Sequence, residues 1–213
     1  MAGRPTTWVT NGVVATPHYL ASQAGLRVLQ MGGNAIDAAI AANAVLHVVY
    51  PHNCHIGGDL FAIVWDPSKQ ELQGLNASGP AVSGATIERL RSLGYTAMPE
   101  HGVHTITVPG AVAGWFALLE RYGSGRFEMG ALLQPAITYA RDGAPLSFRL
   151  AAYLEMVRDR LAQDPGAREL FFTGPPKRGG DIFRQPALAD TYERIGRDGA
   201  AGFYSGPVAD DIV

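Results

Sequence analysis

The 213 residues carry 17 Lys and Arg against 19 Asp and Glu, a formal net charge of −2, and 47% of them are hydrophobic. That is enough apolar material for one good core or two lobes. Without a basic run it gives no reason to expect nucleic acid or an anionic membrane as partner. A single cysteine, Cys54, excludes an internal disulfide and fits a reducing compartment. No apolar segment follows a basic start, and the longest apolar stretch, Ala38 to Tyr50, is too short for a bilayer and contains Asn43 and His47. The expectation is a soluble, cytoplasmic chain.

Trp8 to Thr16 reads as a short apolar strand with Gly12 as a bend, and Pro17 suits the first turn of a helix reaching to about Gln30. Gly32 or Gly33 can close that helix in the left-handed conformation. Asn34 is a good N-cap for the next, and Asp37 sits three residues on, near the positive helix end. This second helix runs in Ala, Ile, Val and Leu to about Val49, as a buried central helix does. It empties into the polar loop Pro51 to His55 and hands over, at Gly57-Gly58, to a core strand. Leu60 to Asp66 and Glu71 to Asn76, joined by Pro67-Ser68-Lys69, predict an antiparallel hairpin.

A helix starts at Ser83 or Thr86 and runs through Leu93. Thr105 to Val108 is β-branched and strand-like, broken by Pro109-Gly110. Helices follow up to Tyr122, from Met129 to Arg141, from Phe148 to about Leu161 and from Pro186 to Arg197, and another begins at Val208. Pro165 to Gly180 reads as a surface loop. The fold class is α+β, helix-rich after residue 110.

The loop Pro51-His52-Asn53-Cys54-His55 gathers a thiol and two imidazoles. A reactive thiolate needs a positioned base, which sequence neighbours rarely supply, and one cysteine cannot build a structural zinc site. The loop is either a polar filler beside the glycines or the centre of a cysteine hydrolase using Cys54. Gly32-Gly33-Asn34 lacks the spacing of a nucleotide-binding loop, and neither G-x-S-x-G nor H-E-x-x-H occurs. Asp59 either aims into a pocket or caps the strand entry.

The segment Gly32-Gly33-Asn34-Ala35-Ile36-Asp37-Ala38-Ala39, followed by Ile56-Gly57-Gly58, resembles the gamma-glutamyltransferase family of N-terminal nucleophile hydrolases. Further segments resemble it in the same order: Val108-Pro109-Gly110-Ala111-Val112-Ala113-Gly114, Tyr122-Gly123, Gln134-Pro135-Ala136, Ala140-Arg141-Asp142-Gly143 and Gly202-Phe203-Tyr204-Ser205-Gly206. Together they cover nearly residues 12 to 213.

The resemblance implies a portion of a four-layer αββα sandwich, with residues 1–213 forming one domain, the N-terminal fragment of a large subunit. It also implies self-cleavage that frees a Thr on a C-terminal small subunit, both nucleophile and, through its own amine, base. No threonine here sits in the family's Thr-[Thr/Ser]-His setting, so the resemblance assigns this chain no catalytic residue. The family's oxyanion-hole glycines also lie in the small subunit, so Gly57-Gly58 is not that pair. The expected partners are that small subunit and a small-molecule amide substrate, with no metal or cofactor.

Glutamyl-transferring members carry an Arg-Glu pair after the hairpin, the Arg gripping the substrate α-carboxylate. Ser78 and Gly79 stand at those positions, so the resemblance leans towards acylase-like or oxamate-type amidohydrolases. Asn76, Ser78 and the Gly57-Gly58-Asp59 turn are the expected substrate-binding residues. The rival reading from another class is a non-catalytic scaffold or partner chain that keeps the fold.

Overall fold

In the computed structural model, which describes residues 6–213, the segments assemble around one helix. Helix α1 (Tyr19–Gln30) is followed by α2 (Ala35–Val49), the hairpin β1 (Leu60–Asp66) and β2 (Glu71–Ala77), and the short α3 (Ile87–Ser92). After these come α4 (Ala111–Tyr122), α5 (Met129–Asp142), β3 (Ala144–Pro145), α6 (Phe148–Leu161), α7 (Pro165–Phe172), β4 (Ile182–Phe183), α8 (Pro186–Asp198), α9 (Ala201–Tyr204) and α10 (Pro207–Ile212). The result is helix-rich α+β with two small antiparallel sheets, β1–β2 and β3–β4.

Gly32, at φ 90°, closes α1, and Asn34 opens α2 with a complete capping box. The Asn34 side chain accepts from Ile36 and Asp37 N–H, while the Asp37 carboxylate accepts from Asn34 N–H at 2.9 Å. Asp37 is fully buried and also accepts from Ser124 N–H at 3.2 Å, and Asn34 Nδ2 donates to the Tyr122 carbonyl at 2.6 Å. One cap therefore fixes both the start of α2 and the turn between α4 and α5.

Helix α2 packs on α1, α4 and α5. Its crossing with α1 is close because Gly25 lacks a side chain: a Cβ there would lie 3.0 Å from the Ala38 carbonyl oxygen. Three polar groups tie later elements to it. Trp115 Nε1 on α4 donates to Asn43 Oδ1 at 2.8 Å, Tyr192 Oη on α8 donates to the Ala44 carbonyl, and Gln185 Nε2 to the Val48 carbonyl. A second, smaller apolar cluster of Leu146, Leu150, Leu154 and Phe183 holds α6 and the β3–β4 pair.

The hairpin register pairs Leu60 with Ala77 and Asp66 with Glu71. Its inner face (Leu60, Ala62, Val64, Leu75) lies on the core, whereas Phe61, Ile63, Trp65 and Leu72 are exposed on the other. Among the described residues no helix is long and apolar enough to cross a membrane.

Three expectations are corrected. Residues 8–16 are not a strand, because nothing in the described chain pairs with them. Thr105 to Val108 is not a strand either: Val103–Thr105 forms a 3-10 turn that Ile106 N–H closes on the Val103 carbonyl, and beyond it Val108 N–H donates to Pro80 without a strand ladder. The stretch 165–180 is not wholly loop, since Asp164 caps α7 by accepting from Ala167 N–H and Pro165 occupies its first turn.

Replacing Asp37 with Ala strands two part-buried N–H donors, those of Asn34 and Ser124. The expected cost is about 2 kcal/mol, from the loss of a cap and the unpaired donors. Urea unfolding measures it; a loss under about 0.5 kcal/mol, the range of inert surface changes, would contradict this role for the cap.

Candidate substrate-binding site

The residues expected to bind substrate fall into two clefts separated by one backbone seam. The first cleft, about 450 Å³, is lined by Gly57, Gly58 and Asp59, with Asn43 and His47 from α2, Cys54 and His55 from the loop, and Thr105 and Thr107 opposite. The second, about 360 Å³, is lined by Asn76 and Gly79 at the end of β2, by Pro109, Gly110 and Ala113, and by Tyr204. Ser78 lines neither; it sits in the seam between them.

The seam is built from backbone pressed on backbone. Gly79 has φ 78°, and a Cβ on it would collide with the Val108 carbonyl oxygen. A Cβ on Gly110 would collide with the Ala77 carbonyl oxygen. Thr107 Oγ1 donates to the Ser78 carbonyl at 2.9 Å and Val108 N–H donates to the Pro80 carbonyl at 3.0 Å. Asn76 Oδ1 accepts from Ser78 N–H at 3.0 Å, so its oxygen is spent on the turn and its amide NH2 is the group left for a ligand.

Gly58 has a structural duty as well. Its carbonyl accepts from Gly110 and Ala111 N–H at 3.1 and 3.0 Å, satisfying two of the orphan donors at the start of α4. That ties the Gly57-Gly58 turn, and with it Asp59 at the mouth of β1, to the same helix end that holds the Ser78 seam. Tyr204 locks the second cleft: its hydroxyl donates to the Pro109 carbonyl at 2.6 Å and accepts from Ala113 N–H at 3.1 Å.

Sequence reasoning missed Asn43, His47, Thr107 and Tyr204 as cleft residues. The signal for the first two was present: Asn and His four residues apart inside an otherwise apolar helix share one face. His47 stacks on Trp115 with centroids 5.2 Å apart, and its Nδ1 is buried without a hydrogen-bond partner. Burial, with a contribution from His55, drops its pKa to about 3. Cys54 is pushed the other way, its thiol pKa raised by burial, and among the described residues no group of three His, Cys, Asp or Glu side chains is arranged to hold a metal. The cleft therefore offers uncharged donors and acceptors with one carboxylate at its rim, and no thiolate.

His47 also sets an acid limit. Below its unfolded value near 6.5 the unfolded chain binds a proton that the folded chain refuses, so stability falls as pH drops from about 6.5 towards 3, by up to about 1.4 kcal/mol per unit. Burial lowers His18 and His52 as well, and they act with the same sign. Melting temperature followed from pH 7 to 4 should decline more steeply in the parent than in a His47→Gln variant; parallel curves would contradict the burial of a neutral His47.

A family profile for gamma-glutamyltranspeptidase matches residues 21–213. The chain is 40% identical over 206 residues to the glutathione hydrolase-like YwrD proenzyme of Bacillus subtilis, covering 96% of this chain and 38% of that protein. It is 39% identical over 208 residues to the oxamate amidohydrolase proenzyme of Klebsiella pneumoniae, covering 95% of this chain and 39% of that one. Among solved structures, gamma-glutamyltranspeptidase of Helicobacter pylori matches with a TM-score of 0.90 at 36% identity, over 98% of this chain and 60% of that one. A cephalosporin acylase from Bacillus halodurans matches with a TM-score of 0.84 at 37% identity, over 99% of this chain and 41% of that one. The chain thus spans about two-fifths of the length of these curated relatives. With the profile match running over nearly all its residues, it belongs to the gamma-glutamyltranspeptidase family.

Proposed function

We propose that residues 1–213 are one domain of the large subunit of a cytoplasmic N-terminal nucleophile amidohydrolase whose substrates lack a glutamyl head. A Thr on a small subunit outside these residues attacks the amide carbonyl, and its α-amine takes the hydroxyl proton and passes it to the leaving amine. Water then hydrolyses the acyl ester. This chain contributes walls and polar contacts: Asn76 through its free NH2, Ser78 at the seam, and Gly57, Gly58 and Asp59 at the first cleft.

The observation that carries the substrate choice is the charge of the clefts. Among the described residues no Arg or Lys lines either of them, and by the resemblance Ser78 and Gly79 stand where glutamyl-transferring members hold their Arg-Glu pair. A neutral hydroxyl does not replace the two parallel charged hydrogen bonds that a guanidinium gives a carboxylate. Similarity to an oxamate amidohydrolase and a cephalosporin acylase supports the same reading. The cysteine-hydrolase reading loses support, because a thiol with a raised pKa is a poor nucleophile.

The test is hydrolysis by the full-length enzyme, comparing a γ-glutamyl anilide with acyl anilides that lack the α-amino acid. The parent should prefer the latter. Ser78→Arg should raise the relative kcat/KM for the glutamyl anilide by about tenfold or more, the worth of one charged hydrogen bond. Cys54→Ser should leave hydrolysis within about twofold, well under 1 kcal/mol. Preference for the glutamyl anilide by the parent would overturn the substrate reading, and loss of all hydrolysis in Cys54→Ser would return the thiol to the chemistry.

A further inference from the structure

The first cleft sets hydrogen-bond donors on one wall against acceptors on the other. Asn43 and His47 stand about one turn apart on α2 and share a helix face, their Cβ atoms about 5–6 Å apart. Asn43 Oδ1 is held by Trp115 Nε1 at 2.8 Å, so its NH2 is what remains to donate. His47 is 4% exposed, and its Nδ1 is buried without a partner among the described residues, which leaves Nε2 as the ring nitrogen that faces the cleft. A proton on Nδ1 would be a buried donor with no acceptor, so the single proton of the neutral ring belongs on Nε2. Both α2 residues therefore present N–H groups.

The opposite wall has the reverse polarity. Thr105 Oγ1 donates its proton to the Gly102 carbonyl at 2.7 Å, and Thr107 Oγ1 donates to the Ser78 carbonyl at 2.9 Å. A hydroxyl has one proton and two lone pairs, so both threonines meet the cleft as acceptors only. Among the described residues the lining holds no Lys or Arg, and its one carboxylate, Asp59, is exposed at the mouth. A carboxylate ligand would satisfy the α2 donors but set its charge against two hydroxyl oxygens and Asp59. An ammonium would do the reverse and leave the buried His47 unpaired. A planar neutral group that accepts along one edge and donates along the other satisfies both walls, and a primary carboxamide is such a group.

We propose that the first cleft binds a neutral primary carboxamide: Asn43 Nδ2 and His47 Nε2 donate to its carbonyl oxygen, and Thr105 and Thr107 Oγ1 accept from its NH2. The inference deepens the amidohydrolase reading, on which it rests for taking the bound molecule as substrate. His47 is then a specificity-determining residue. Its burial keeps water from competing for the bond that Nε2 makes and keeps the ring uncharged, so the cleft gains nothing extra from an anion. A site built to pair an NH2 rejects the analogue that lacks it, because its acceptors are then left without partners.

Binding to the full-length protein, followed by saturation-transfer NMR, tests this with three probes of one carbon frame: isobutyramide, N,N-dimethylisobutyramide and isobutyrate. Isobutyramide should bind about tenfold or more tighter than either of the others. His47→Leu, which keeps an apolar side chain of similar size against Trp115, should remove that preference. His47→Gln, which carries a donor NH2, should keep it within about threefold. Thr105→Val should weaken the primary amide and leave the dimethylamide unchanged. Each preference is a ratio on one preparation, so a loss of folded protein does not imitate it. Equal binding of the three probes, no binding of any, or a preference unchanged in His47→Leu would overturn the proposal. Hydrolysis separates the two readings: an active amidohydrolase without the preference sinks the carboxamide cleft alone, and an inactive protein that keeps the His47-dependent preference sinks the enzyme reading alone.

Discussion

A buried carboxylate sets the frame. Asp37 is fully buried, and the N–H groups of Asn34 and Ser124 fall within hydrogen-bond reach of it. A buried charge without such donors would be costly. Meeting that demand fixes where α2 begins and where the chain turns from α4 into α5. Because α2 is buried almost all round, its placement decides the rest: α1 crosses it at Gly25, α4 reaches it through Trp115, and α8 through Tyr192 and Gln185.

The candidate site inherits that order. The end of α2 and the start of α4 hold the Gly57-Gly58 turn between them, since the Gly58 carbonyl accepts two donors of the α4 N-terminus. The same helix start carries Gly110, against which the strand end at Ala77 to Gly79 packs without room for a side chain. In the proposed enzyme, specificity is a matter of what projects from a rigid seam. Ser78 and Asn76 present neutral groups there, and the neighbouring cleft adds a neutral His47, which suits polar uncharged recognition better than a carboxylate grip.

Elements governed by local chemistry were legible in the sequence. The Asn34–Asp37 box, the hairpin around Pro67-Ser68-Lys69 and the helix from Phe148 to Leu161 follow from caps, turn residues and apolar period, and each stands where expected. The misses have separate causes. Trp8 to Thr16 has strand character but no described neighbour to pair with, so propensity alone does not make it a strand. In 165–180 the glycine and proline signals hid an Asp-Pro helix start. At the candidate site, Asn76, Ser78 and the glycine turn are expectations that come with the resemblance, whereas Thr107 and Tyr204 reach their clefts through pairings 29 and 95 residues apart in sequence, which no local pattern reports.

That this chain is the nucleophile-free portion of a self-processing amidohydrolase is tested most directly by an intact-mass spectrum of the natural gene product recovered from its own host. The expected result is two chains, a longer version of this one and a smaller chain whose first residue is Thr. A product that shows a single unprocessed chain, or a second chain starting with another residue, would contradict it.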